Sequence, residues 1–258
     1  MRHIPLCLLF VLIMGCEKQS IRLSNDADSI STNDEFTSNQ IISATQVALT
    51  SVEQSLILDQ QHGDRNVVQA TSFTTIKSTL RQSFDVTPGI TADEFFRSIN
   101  KFRGSSASLE SELGIAVEEL MIYDNLNDLN RYGSYDEIIN YLQSETLSNP
   151  NLSLAARERF NALSYVIEGI RNHYTSGGHR MPSGLPVMKG NCGTTIGRAA
   201  ISGAIWGSLT GLVRGCTAGW IAGPGGVAAG CIVGYVSGAV GGAAGGAVAG
   251  AIDCYIFD

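Results

Sequence analysis

Thirteen glycines near the C-terminus stand four residues apart, and no other feature of the chain restricts its fold so closely. Gly203, Gly207, Gly211, Gly215, Gly219 and Gly223 form one series. Gly226, Gly230, Gly234, Gly238, Gly242, Gly246 and Gly250 form the next, after a Gly-Pro-Gly-Gly break. A four-residue repeat lays each series along one side of a helix as a groove of bare backbone. A second helix can approach such a groove closely and gain dispersion contacts and weak Cα–H···O bonds. Each glycine costs an isolated helix about 0.8–1.0 kcal/mol relative to Ala. Only close packing offsets that cost, so the spacing predicts a helical hairpin folded back near Gly223 and Pro224. A flexible Gly/Ala linker is the competing reading. A linker needs neither the spacing nor Ile205, Trp206, Leu209, Trp220, Val233 and Val236 among the glycines.

Two environments suit such a hairpin. Between Val227 and Ile252 there are 26 residues without a charge, enough to cross a bilayer. There the lack of water would also enforce helicity. The first helix, from about Thr194 to Ala222, carries Arg214, which must snorkel, face a polar cavity or lie in the interface. Burial of the hairpin inside protein is the other environment, and the sequence leaves both open.

The cysteines support the fold-back. Of six, Cys192, Cys216, Cys231 and Cys254 fall in the last 67 residues. Cys216 and Cys231 lie nearly symmetrically about the turn, and so do Cys192 and Cys254. The expected pairs are therefore Cys192–Cys254 and Cys216–Cys231, as disulfides in an oxidising compartment. The glycine rows match best in a slightly different register, with Gly219 opposite Gly230, which leaves the inner Cα separation open against the roughly 7 Å limit.

The N-terminus points to the same compartment. Arg2 precedes an apolar run of eleven residues, Ile4 to Met14, too short to span but suited to a signal peptide. The run ends Ile13-Met14-Gly15-Cys16 and resembles the lipobox of bacterial lipoproteins. The resemblance implies cleavage after Gly15 and acylation of Cys16, with chains such as palmitate. Glu17 and Lys18 end the run too early for an uncleaved anchor helix. Loss of Arg2 with residues 1–15 moves the net charge from −7 to −8. That acidity offers no field for nucleic acid.

Residues 16–33 are polar and read as a tether from lipid to folded protein. Residues 34–176 read as a domain of four or five amphipathic helices, with strand signals scarce. Phe36, Ile41, Ala44, Val47, Ala48 and Val52 share one face, followed by Leu56. Thr91 to Glu94 and Ser134 to Glu137 are capping boxes, the first ahead of Phe95, Phe96, Ile99 and Phe102, the second ahead of Ile138, Ile139 and Leu142. Ser108 opens a stretch that sets Leu109, Leu113, Val117, Leu120 and Met121 inward. After Pro150, a helix from about Ser153 to His173 turns Ala156, Phe160, Leu163, Val166, Ile167 and Ile170 inward. Gly and Pro crowd residues 177–191, which read as a linker to the hairpin of 192–258. The expected class is all-α.

No catalytic constellation emerges, so the chain is expected not to be an enzyme. His62-Gly63-Asp64 falls between helices without a nucleophile. His173 and His179 precede Cys192, but the disulfide claims that cysteine, so neither metal nor other cofactor is expected. No Gly-Lys-Ser/Thr follows the glycines, which excludes a phosphate loop. Glu118 with Glu119, and Asp124 with Asp128, read as solvated helix faces.

Residues 193–252 resemble the glycine-zipper two-transmembrane regions of bacterial envelope lipoproteins, such as the rickettsial 17-kDa surface antigen family. They are also similar to the GxxxG helices of class II bacteriocins. The first resemblance implies a lipid-anchored envelope protein, at the outer membrane, whose hairpin inserts into or packs on membrane lipid. The rows also offer a surface for self-association. Gly and Ala keep the hairpin modestly apolar, which lets it pass the inner membrane. The second implies a membrane-damaging antibacterial protein, for which Gly177-Gly178 superficially resembles a processing site. On the lipobox reading, Cys16→Ser leaves an unprocessed precursor without lipid; a mutant that is cleaved and fractionates like the wild type overturns that reading.

Overall fold

The computed structural model describes residues 36–59, 65–101, 115–176, 192–220 and 224–255. The leader, Cys16, the tether, the His62 to Asp64 loop and the 177–191 linker with His179 lie outside them. So do Phe102, Leu109 and Leu113, while Ile99 falls where side chains are not described. All regular structure among the described residues is helical. The helices are α1 (Ser38–Asp59), α2 (Arg65–Phe84), α3 (Ala92–Lys101), α4 (Val117–Asn127), α5 (Tyr135–Ser148), α6 (Leu154–Ser176), α7 (Cys192–Trp220) and α8 (Pro224–Tyr255).

Local chemistry sets several helix ends. Thr91 and Glu94 exchange bonds at the start of α3: Thr91 N–H donates to Glu94 Oε2 (2.9 Å) and Glu94 N–H to Thr91 Oγ1 (3.3 Å). The Thr91 N–H and the Thr91 hydroxyl, which also donates to Glu94 Oε2 (3.0 Å), hold the Glu94 carboxyl below its usual range, the backbone bond most. Glu137 N–H donates to Ser134 Oγ (3.3 Å), but the Glu137 carboxylate reaches back to Gly133 N–H (2.7 Å) rather than to Ser134. Thr37 and Gln40 form a third box before α1. Asp85 ends α2 in a left-handed conformation (φ 53°), turning the chain toward Pro88 and α3. The carbonyls at the end of α5 meet a cation: the Arg157 guanidinium donates to Thr146 O (3.1 Å) and Asn149 O (2.8 Å).

Packing is organised around α8. It lies along α7 for most of its length and also touches α1, α2, α3 and α6. Residues Thr37–Asp258 accordingly belong to one compact unit, so the hairpin and the helices before the linker share a core. From α6, Ala156, Phe160, Leu163, Val166, Ile167 and Ile170 are all buried, as the periodicity predicts. Ile41, Ala44, Ala48 and Val52 are buried on α1, and Ile138, Ile139 and Leu142 on α5. At Gly169, α1 and α6 come close: a Cβ there would lie 2.7 Å from the Thr45 Cβ.

Three expectations need correction. Val47 is 46% exposed, because α1 buries Thr45, Ala48 and Leu49 and turns Val47 away. On α4, Val117 and Met121 face solvent (52% and 60%), while Leu120, Ile122, Tyr123 and Leu126 are buried. The inward face is thus rotated from the predicted one. Glu119 lies on that inward face, only 3% exposed, and is not on a solvated surface. Its carboxylate takes a two-pronged ion pair from Arg159 on α6, with Nε at 3.0 Å from Oε1 and Nη2 at 2.7 Å from Oε2. Asp124 and Asp128 are exposed as expected.

Breaking this pair strands a buried carboxylate, which costs about 3–5 kcal/mol, whereas apolar replacement of both partners is often neutral. Urea unfolding of Arg159→Met is expected to show a loss of that size, with most of it restored in Glu119→Leu/Arg159→Met. Equal stability of wild type and Arg159→Met would mean that the pair does not hold α4 to α6.

Candidate functional site

The two glycine rows meet face to face along α7 and α8. A Cβ at Gly203 would lie 2.9 Å from Gly246 Cα, at Gly207 2.7 Å from Gly242 Cα, at Gly211 2.8 Å from Gly238 Cα, and at Gly215 2.7 Å from Gly234 Cα. The carbonyl oxygens of Gly242, Gly238, Gly234 and Gly230 would be closer still to the same four positions. The reverse holds from α8, where Gly234, Gly238 and Gly242 confront Gly211, Gly207 and Gly203. Each of these seven glycines therefore sits between two glycines of the other helix. Toward the open end the α7 row continues as Ala199 and Ile196, against which Gly246 and Gly250 pack.

This interleaving reconciles the glycine rows with the cysteine register. A glycine straddling two partners has no single opposite number, so the best one-to-one match overstates the offset from the cysteines. Cys216 and Cys231 fall level at a Cα separation of 4.2 Å, and Cys192 and Cys254 at 5.9 Å, both pairs at disulfide distance. For chain entropy alone, closing loops of 62 and 15 residues contributes about 4 and about 3 kcal/mol. Gly219, Gly223 and Gly226 fall where packing is not described, and so does Trp220.

The energetics of the seam are finely matched. A glycine costs about 0.8–1.0 kcal/mol of helix propensity, and a Cα–H···O contact returns about 0.5–1 kcal/mol. Dispersion between the close backbones and the covalent links then tips the balance toward the hairpin.

Away from the seam, the hairpin presents apolar side chains to the surrounding helices. Ala200, Ala204, Ile205, Trp206 and Leu209 of α7 are buried, as are Val236, Ala239, Val240, Ala243, Ala247 and Val248 of α8. Gly241 points out of the seam, where a Cβ would meet Leu80 Cδ1 at 3.1 Å. Its hydroxyls are largely satisfied within their own helices: Ser208 Oγ donates to Ile205 O (2.7 Å), Thr210 Oγ1 to Trp206 O (3.0 Å) and Ser237 Oγ to Gly234 O (3.3 Å). Tyr235 is different. Its hydroxyl shares a 2.8 Å hydrogen bond with that of Tyr123 on α4, both side chains being fully buried. Burial raises the Tyr123 phenol well above its usual range, and Tyr235 and Glu119 raise it further. The residue missed by sequence reasoning here had a signal, since Tyr235 is a large polar side chain set among the glycines and alanines of α8.

Chemistry is sparse elsewhere. His173 Nε2 lies 3.0 Å from Glu53 Oε2, an α1–α6 contact and not a ligand set. Among the described residues no cluster of His, Cys, Asp and Glu could hold a metal. Among the described residues one helical span, Ala229–Cys254, is long and apolar enough to cross a membrane, yet most of it is buried inside the protein. The chain matches no protein-family model, no curated protein and no solved structure.

The seam predicts a sharp positional effect. Gly211→Leu and Gly234→Leu force the helices apart and forfeit packing along neighbouring turns, whereas Ala229→Leu, at an exposed position off the seam, leaves stability within about 0.5 kcal/mol. Thermal unfolding and protease resistance of the three variants measure this. Equal behaviour of all three would remove structural meaning from the spacing.

Proposed function

We propose that this is a non-enzymatic, lipid-anchored protein of the bacterial cell envelope that carries its glycine-zipper hairpin in a helical sheath and transfers it to a membrane. The supporting observation is the hairpin's self-sufficiency. Its two helices hold each other backbone to backbone, and both cysteine pairs lie within it. The sheath offers it mainly apolar contact, and lipid tails are as apolar as Leu. Tyr235 bonds to Tyr123 and Arg198 Nη1 donates to Asn130 Oδ1 (3.2 Å) across the boundary with the sheath, and bonds of this kind are each worth about 0.5–1.5 kcal/mol, little beside the apolar contact that lipid can replace. On α7, 15 uncharged residues separate Arg198 from Arg214. Both arginines are exposed, and long cationic side chains at these ends can reach the headgroups.

A membrane-damaging antibacterial role is the second reading. It is favoured by the division of the covalent links: the 177–191 linker joins hairpin to sheath, and both cysteine pairs fall on the hairpin side. Cleavage there would free a cross-linked hairpin.

One experiment tests both. The mature lipidated protein is reconstituted into dye-loaded vesicles containing brominated phospholipid. Both tryptophans, Trp206 and Trp220, lie on α7 and report the hairpin. Insertion is expected to quench their emission and to protect the hairpin from protease while the sheath helices are cut. Dye leakage alongside quenching favours the membrane-damaging role, and quenching without leakage the anchored one. Unquenched tryptophans and a fully digestible hairpin would overturn transfer to the bilayer.

A further inference from the structure

Among the described residues, the sheath does not close over the whole hairpin. Where the chain passes from α2 to α3, residues Val86 to Ile90 stand off the glycine seam and leave a cavity of about 430 Å³. That is within the range of small-molecule sites, roughly 300–1,000 Å³. The floor is glycine backbone, running from Gly207 to Gly215 on α7 beside Gly230 to Gly238 on α8. Eight residues of helix make this floor about 12 Å long. The walls are Leu80, Val86, Pro88, Ile90, Phe95 and Val233.

The lining defines the ligand chemistry. The hydroxyls of Ser98, Thr210 and Ser237 donate to carbonyls of their own helices, at 2.8, 3.0 and 3.3 Å. The helical backbone of the floor has its hydrogen bonds within the helices. A sugar, nucleotide or peptide would find few partners here and would lose its hydration, whereas a hydrocarbon tail needs none. Among the described residues, the charged group that lines the cavity is the exposed Arg214. Among the described residues it forms no ion pair. The acid that feels its charge, Glu94, is already engaged by Thr91 N–H and Oγ1 at 2.9 and 3.0 Å.

We infer that this cavity binds the tail of a long-chain fatty acid along the glycine floor, with the carboxylate at Arg214. The inference rests on the cavity and not on insertion of the hairpin, and its test contains no membrane, so either reading can fail alone.

The chain from Glu17 onward, which keeps the whole Thr37–Asp258 unit, is titrated calorimetrically with dodecanoate and with dodecyltrimethylammonium, both below micelle formation. The two probes share a tail and differ in headgroup sign. Dodecanoate is expected to bind saturably, one molecule per chain, and at least about tenfold more tightly than the cation. Arg214→Glu is expected to reverse that preference. A Cβ at Gly89 meets nothing within 4 Å, so Gly89→Phe can enter the space without a clash and is expected to abolish both titrations. Val233→Phe, on the opposite wall, serves the same purpose. Unchanged far-UV circular dichroism shows that each variant has folded.

Absence of saturable binding to the wild type would overturn the proposal. So would equal affinity for the two headgroups, which marks detergent-like adsorption, or dodecanoate binding that survives both Phe substitutions in folded protein. Binding that weakens as protein concentration rises would assign the groove to a second copy of the chain, and likewise overturn it.

Discussion

The close approach of two helical backbones is the contact on which the rest of the structure depends. Ordinary helices keep their axes 8–10 Å apart because side chains fill the gap. Along α7 and α8 glycine removes that filling, and carbonyl oxygens of one helix lie against Cα atoms of the other. The gain exists only at short range, which makes the seam intolerant of even one methyl group. It also leaves all larger side chains of the hairpin on its outer surfaces. The hairpin is thus apolar outside and backbone inside, the reverse of an amphipathic pair that hides its apolar residues between its helices.

That inversion explains the remaining helices. An apolar rod 32 residues long on its α8 side has to be covered by something. In this fold α1, α2, α3 and α6 supply the cover, with the Phe73, Phe95, Phe160 and Leu163 side chains in the shared core. Cover from α4 comes with a polar device. Glu119, Arg159, Tyr123 and Tyr235 bring an ion pair and a phenol pair into an otherwise apolar interior, where their geometric demands fix how α4 meets α6 and the hairpin. Apolar contact alone tolerates sliding, whereas bonds of this kind do not.

How much of this was legible in the sequence depended on the range of the rule involved. The hairpin was legible because a four-residue glycine repeat and symmetric cysteines are properties of neighbours along the chain. The α6 face was legible for the same reason, and so were the Thr91 and Ser134 caps. Glu119 was not, because nothing beside Glu118 distinguishes a buried acid from a solvated one; the difference is made by Arg159, 40 residues away. Val117 and Met121 were misplaced because apolar residues surround α4, and only packing decides which arc faces the core. Gly169 had a local sign, a lone glycine inside a strongly periodic helix, but its partner Thr45 lies on another helix. The uncovered floor beside Val86 to Ile90 had none, since a cavity depends on how far apart several elements stand.

A ladder that repeats every four residues is also ambiguous. Slide α8 by one turn along α7, and glycine still meets glycine at nearly every rung. The seam holds the helices together without saying where along each other they belong. Cys216 with Cys231 and Cys192 with Cys254 are not periodic, and a one-turn slip would separate both pairs by about 6 Å along the axis. The cysteines therefore act as index marks on a scale that otherwise has none. A chain that reached its final compartment with its thiols still free would hold a population of offset hairpins, and oxidation would select a single alignment from among them.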